Sequence, residues 1–341
     1  MRRIDLSTVK DCEFIWECGD YIVAAGKLVW VFRKDGSFVA KSSTIRYPLK
    51  IYFLPPDKAF IQGGANYQYH YIDLQTAEDI WTVPCGGRFN SFGKKFIASP
   101  DNKYLFDIYC NNKNFKHYVL RFSIENLTVA KEEVPESLRV TVGGYMDKEG
   151  VLYALQTHLL NDGKTSQNGI LRIDWRDEKP IFSWKSLWQS EKNRFKNWRY
   201  TDGQYILCED YTVVDMTTMH EFNLLENDSD WVTAYGPLDC VYIADRGLLI
   251  GYHDLEEGNV VIDCKARKRV AQYVSAKNDD EKAGFAGCLV GDEYWIGTEE
   301  GIVKKIFPIF EEMPEIRFPG WIYAKKMKEM RREQLNKEHK Q

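Results

Sequence analysis

One unit recurs along this chain, and it constrains the fold more than any other feature. An apolar strand ending in Asp, a short polar turn and a second strand appear as YHYIDLQTAEDIWTV (69–83), ILRIDWRDEKPIFSW (170–184), TVVDMTTMHEFNL (212–224) and NVVIDCKARKRVAQYV (259–274). Copies without the Asp are LVWVFRKDGSFVAKS (28–42), YVLRFSIENLTVAKEEV (118–134) and GIVKKIF (301–307). The equivalent positions are Arg33, Asp73, Ser123, Asp174, Asp215, Asp263 and Lys305, spaced 40 to 51 residues apart. Two further strands precede each pair, as in KKFIASPDNKYLFDIY (94–109), RYTDGQYILCED (199–210) and GCLVGDEYWIGTE (287–299). Pro100-Asp101-Asn102, Asp202-Gly203 and Gly291-Asp292 supply tight-turn chemistry between those strands. Each unit is therefore four antiparallel strands, A to D.

A period of ~40–50 residues with four strands per repeat is the pattern of propeller blades. The expected fold is all-β: a seven-bladed β-propeller over residues 1–310, followed by an extension over 311–341. The last unit has strands A, B and C, then meets Pro308 and Pro314, which do not suit a further central strand. Residues 1–10 hold a spare strand, Arg2 to Ser7. Set beside 301–307 as the missing D strand, it closes the ring and removes an open sheet edge.

Ser99-Pro100-Asp101-Asn102-Lys103 resembles the S-P-D-G-K turn, and Asp73-Leu-Gln-Thr-Ala-Glu resembles the D-L-x-T-G-x turn. Both occur in the broad superfamily of seven-bladed propellers with WD, YVTN and quinoprotein-like repeats. The resemblance implies a fold and no activity. No unit has the Gly-His and Trp-Asp pair of a regular WD repeat, and the tryptophan docking motif of quinoprotein blades is missing, so no quinone is implied.

Residues 319–341, PGWIYAKKMKEMRREQLNKEHKQ, have helical composition after a Pro-Gly break, with Tyr323, Met327 and Met330 on one stripe. Seven Lys/Arg against three Glu make this segment basic. It is expected to clip onto the propeller rim, or to act as a basic arm for an acidic partner or an RNA backbone. Over the whole chain 46 Lys+Arg against 50 Asp+Glu give a net charge of −4, so no nucleic acid is expected beyond that arm. No export signal or membrane-spanning run is visible, and a cytoplasmic monomer is expected. The eight cysteines are scattered without a C-x-x-C pair, which points to buried free thiols and to no metal site.

In a ring of A-B-C-D meanders the D–A and B–C connections share one face. The D–A connections carry Arg46, Arg88, Phe89, Arg194, Phe195, Trp198, Trp231 and Phe285. Arg beside aromatics is the composition of interface hot spots, because both make many contacts and desolvate well. The same residues could instead seal each blade against the next. A second polar set ends the B strands on that face: Gln62, His158, Glu209, Asp210, His253, Asp254 and Glu299. Converging His and carboxylates are what acid/base chemistry needs. There is no phosphate loop, nucleophile elbow or H-E-x-x-H pair. The first expectation is a binding scaffold without catalysis or cofactor, recognising a protein or peptide through the Arg/aromatic set. The alternative is an enzyme or small-ligand sensor at the mouth of the central channel, using His158, Glu209, Asp210 and His253.

Overall fold

The computed structural model describes residues 2–3, 9, 12, 14–64, 67–84, 89–91, 95–111, 113–138, 142–159, 166–190, 200–201, 204–208, 211–216, 218, 220–228, 239–243, 246–252, 259–273, 287–291, 293–298 and 301–306. Apart from one short 3-10 turn, Glu136–Leu138, the secondary structure among the described residues is all β, of the β-propeller class, with four-stranded antiparallel blades. Its first strand is β1 (Arg2–Arg3). The first sheet is then β2 (Phe14–Cys18), β3 (Tyr21–Ala25), β4 (Val29–Arg33) and β5 (Phe38–Lys41). The second is β6 (Pro48–Leu54), β7 (Lys58–Gly63), β8 (Gln68–Asp73) and β9 (Asp79–Pro84). The third has a split inner strand, β10 (Phe89–Ser91) and β11 (Ile97–Ala98), both on β12 (Tyr104–Asn111), then β13 (His117–Ser123) and β14 (Thr128–Glu133).

The fourth sheet comprises β15 (Val142–Met146), β16 (Leu152–Leu159), β17 (Ser166–Asp174) and β18 (Ile181–Ser190). Next come β19 (Tyr200–Thr201), β20 (Tyr205–Leu207), β21 (Thr212–Asp215) and β22 (Glu221–Asn223). They are followed by β23 (Asp239–Ile243), β24 (Leu248–Tyr252), β25 (Asn259–Asp263) and β26 (Lys268–Tyr273). The last sheet joins β27 (Cys288–Val290), β28 (Glu293–Thr298) and β29 (Gly301–Ile306) to β1, with Arg2 opposite Lys304 and Arg3 opposite Val303. The expected pairing of the N-terminal strand with 301–307 is therefore present. The expected C-terminal helix lies outside the described residues.

Chain contacts divide the protein into two compact units, Met1–Ile15 with Leu207–Gln341, and Trp16–Ile206. Within the second unit, sheet packing explains the apolar patterns. The B strands β3 and β7 are buried at nearly every position, as is β12, and both faces of β7 and β12 meet neighbouring sheets of this unit. Val23, Val29 and Val31 of the first sheet pack on Ala59, Ile61 and Ile72 of the second. The reverse face of the second sheet meets the third through aromatics. There Tyr69 and Phe60 approach Phe122 with centroids 4.7 and 4.8 Å away. Phe106, Ile108 and Val119 then meet Leu152, Leu171 and Ile173 of the fourth sheet. The outer strand β14, TVAKEE, alternates towards solvent and carries the Lys and Glu that discourage edge pairing.

The repeated Asp has a local task. Asp73 Oδ1 accepts the backbone N–H of Gln75 at 2.7 Å, and Asp263 Oδ1 accepts those of Lys265 and Ala266 at 2.9 and 2.8 Å. These side chains start the C–D turns. Where the D-L-x-T-G-x pattern has Gly, this chain has Ala77, and its φ is +55°. Asn102 fills the Gly place of the S-P-D-G-K pattern at φ +57°, within a turn tied by Ser99 Oγ to Asp101 at 2.7 Å. Both resemblances thus mark real left-handed turn positions.

Candidate binding face

Strand registers put the D–A and B–C connections of Trp16–Ile206 at one end of the sheets. Pro48 at the start of β6 lies opposite Gly63 at the end of β7, and Phe89 at the start of β10 lies opposite Asn111 at the end of β12. The connection 42–47 is fastened to the B–C turns on either side of it. Tyr47 donates its N–H to the Lys27 carbonyl at 3.3 Å, and Gly64 donates to the Arg46 and Tyr47 carbonyls at 3.1 and 2.8 Å. A Cβ at Gly64 would come within 2.6 Å of the Tyr47 carbonyl oxygen, so only glycine allows this approach.

Three aromatic residues at this end hold left-handed backbone: Tyr47 at φ +48°, Tyr67 at +50° and Phe115 at +55°. For a bulky side chain that conformation costs of order 1–3 kcal/mol and persists only where the surroundings impose it. At Phe115 the imposing bonds are visible. Its N–H donates to the Asn111 carbonyl at 2.8 Å, the Asn111 side chain accepts the Lys113 N–H at 2.8 Å, and Asn114 accepts the Lys116 N–H at 3.0 Å. The turn presents Phe115 67% exposed, while Tyr47 and Leu49 are 43% and 44% exposed. Arg46 and Lys113 are exposed beside them.

Of the residues expected from sequence, Arg46 occupies the anticipated D–A connection. Phe89 is the first residue of β10, its backbone opposite Asn111 of β12, directly after the connection 85–88. Arg88, Arg194, Phe195, Trp198, Trp231 and Phe285 lie outside the described residues, as do Glu209, Asp210, His253, Asp254 and Glu299. His158 is in β16, opposite Gln167 of β17. Gln62 is a correction: it is fully buried in β7 between Lys50 of β6 and Tyr69 of β8, because the third sheet covers that face. Leu49, Tyr67 and Phe115 were not singled out from sequence. The Asn-rich run Asn111-Asn-Lys-Asn-Phe-Lys116 was the one available signal, since Asn side chains build such turns.

One buried polar cluster ties the second sheet to the third, and a second, half-buried one ties β8 and β9 to the connection 42–47. Lys50 Nζ meets Asp107 Oδ1 at 2.5 Å, and Tyr69 donates its hydroxyl to Asp107 Oδ2 at 2.7 Å. His70 Nδ1 lies 2.9 Å from Asp79 Oδ1, while Thr44 donates to Asp79 Oδ2 at 2.7 Å. The Asp79 carboxyl is lowered from its usual range: burial opposes this as the largest single influence, and the bonds from His70 and Thr44 outweigh it together. Among the described residues no three His, Cys, Asp or Glu converge as a metal site, and no helix is long and apolar enough to cross a membrane.

No family model and no curated relative matches this chain. Solved structures do. Hydrazine synthase of Kuenenia stuttgartiensis is similar at 11% identity and a TM-score of 0.60, covering 89% of this chain and 98% of that one. The extracellular domain of a protein described as a one-component system from B. thetaiotaomicron is similar at 9% identity and a TM-score of 0.52, covering 89% of this chain and 40% of that one. At such identities the similarity shows the fold alone.

Proposed function

We propose that the protein is a non-enzymatic binding scaffold, a seven-bladed ring of the WD/YVTN-like kind closed by its N-terminal strand. In this reading it works in the cytoplasm as a monomer. Its D–A/B–C face recognises a protein or peptide partner. The observation that carries the reading is the strained, exposed display of Tyr47 and Phe115 on a hydrogen-bonded frame. Strain of this kind is retained where a surface must be pre-shaped, and preformed aromatic anchors bind at low ordering cost. Arg46 and Leu49, close to Tyr47 in the chain, add the cation and aliphatic side chain typical of a hot spot.

The test is a quantitative pull-down from native lysate with the full chain, its Phe115→Ala and Tyr47→Ala variants, and a Glu125→Ala control on the β13–β14 turn at the opposite end. A partner retained by wild type and control, and reduced at least tenfold by either face variant, supports the scaffold. Partners insensitive to both face variants would remove this face from consideration.

A further inference from the structure

An outer strand is where a sheet can still accept a neighbour, since every second residue there turns its N–H and C=O away from the sheet. Most outer strands of this chain carry a feature that discourages pairing. β5 is four residues long, and its register against β4 shifts between Val31 and Phe32. β9 shifts likewise against β8 and ends at Pro84. β14 keeps register but carries Lys131, Glu132 and Glu133. β1 and β22 have two and three residues, and β26 combines a register shift with Lys268 and Arg269.

β18 differs. With ten residues it is the longest described strand, and 181–186 pair residue for residue with 169–174 of β17 before any shift. This stretch, IFSWKS, has no proline and a single charge, Lys185. Among the described residues, β17 is the one strand that pairs with it. Its two faces are unlike. Phe182 packs towards the core shared with the third sheet, and the Trp184 ring lies across Gly169, where a Cβ would come within 2.5 Å of it. Ile181, Ser183 and Lys185 alternate with them and are exposed, Ile181 by 63%. Lys185 stands opposite Ile170, so its own sheet sets no carboxylate across from it.

We infer that the edge of β18 over 181–186 accepts an added strand: an extended peptide segment of a partner protein, with an acidic residue four positions ahead of a large apolar one. This goes beyond the docking face above and does not depend on it. Backbone bonds supply the pairing, and alternate side chains supply its selectivity. A strand antiparallel to β18, as β17 is, places one residue opposite Lys185 and another, four positions later, opposite Ile181. Both fall on one face, because side chains alternate with period 2. A carboxylate beside Lys185 and an apolar group beside Ile181 are the favourable cross-strand pairs, and the second removes exposed apolar surface from water. A second copy of this chain fits less well. β18, IFSWKSLWQS, has no Asp or Glu, so pairing with itself offers Lys185 no carboxylate.

The experiment selects peptides from a phage-displayed library of random 12-residue sequences on the full chain and measures them by fluorescence anisotropy. The expected sequences are rich in β-branched residues, with an acid four positions before an aliphatic or aromatic residue. Lys185→Glu should weaken them at least tenfold, and replacing the peptide's acid by lysine should restore binding to that variant. Ile181→Ser should weaken them as well. Methylating alternate amide nitrogens of the peptide should abolish binding in one phase and spare it in the other, which marks a strand added at an edge. Phe115→Ala should change nothing, which separates this edge from the docking face. Thermal melts check that each variant is folded. Peptides indifferent to Lys185→Glu, Ile181→Ser and amide methylation would overturn the inference, as would failure to select any. Peptides that depend on Phe115 alone would leave the docking face standing and remove this edge. A dimer seen in sedimentation equilibrium and abolished by Ile181→Lys, with no peptide selected, would assign the edge to a second copy and overturn the peptide assignment.

Discussion

Lys50 Nζ and Asp107 Oδ1 lie 2.5 Å apart between the second and third sheets, with each side chain only 1% exposed. The Lys50 ammonium also sits 4.8 Å from the Phe96 ring centroid, and Asp107 receives the Ile108 N–H at 2.8 Å. Taking two ions out of water is costly, and only a well-bonded pair offsets that cost. Asp107→Ala is therefore expected to lower stability by about 3–5 kcal/mol, since it strands a buried cation. The double variant Lys50→Met/Asp107→Leu should recover most of that loss in urea denaturation. A single variant as stable as wild type would show that water reaches the pair.

Gln62 occupies the same row as Lys50 and Tyr69, yet neither its Nε2 nor its Oε1 bonds to any protein group. A buried amide without partners carries a desolvation penalty of about 1–3 kcal/mol. Gln62→Met keeps the length and removes the polar atoms, so the urea midpoint should rise. A marked fall would mean that the amide is bonded to ordered water.

Phe115 holds φ +55° with most of its ring in solvent. Glycine relieves that backbone at the expense of unfolded-state entropy, so Phe115→Gly should leave stability unchanged or raise it by up to about 1 kcal/mol. Partner binding should be lost in the same variant. Differential scanning calorimetry paired with the binding assay separates the two effects. A large drop in Tm would show that the ring supports the fold.

The Asp174 carboxyl is held at about 2, chiefly by its bonds from Arg176 at 2.8 and 2.6 Å; burial opposes the shift and Arg172 adds to it. A carboxyl lowered by folding stabilises the native state above its unfolded value of about 3.9. That contribution disappears as pH falls towards the folded value. Stability of the wild type should therefore drop between about pH 4 and pH 2, and Asp174→Asn should flatten this limb. Urea midpoints across that range would show it; identical slopes would place the acid sensitivity elsewhere.

Burial, with Glu17 adding, pushes the Cys18 thiol up to about 12, and burial beside Asp263 pushes Cys264 up to about 11. Little thiolate forms at either site near pH 8, and the thiolate is the reactive species. Both should resist a thiol reagent in the folded protein, and all eight cysteines should titrate after denaturation. A fast stoichiometric reaction at Cys18 would mean that the first sheet opens readily.

The sequence by itself determined the repeat, the strand order within each blade and the turn chemistry. These are local: period-2 burial, an Asp that bonds the N–H groups just ahead of it, and Ala77 or Asn102 in a place where related turns carry Gly. The pairing of Arg2–Arg3 with β29 was legible too, because a missing strand at one end matched a spare one at the other. The tertiary structure alone decided what depends on neighbouring sheets. Gln62 ends a B strand as the sequence indicated, but the third sheet covers it, and Lys50 is buried because Asp107 meets it from 57 residues away. Phe89 entered a strand, whereas Phe115, in an Asn-rich turn, was pushed into solvent. Backbone dihedrals and cross-sheet burial arise from contacts distant in sequence, and residue type encodes those only through the packed whole.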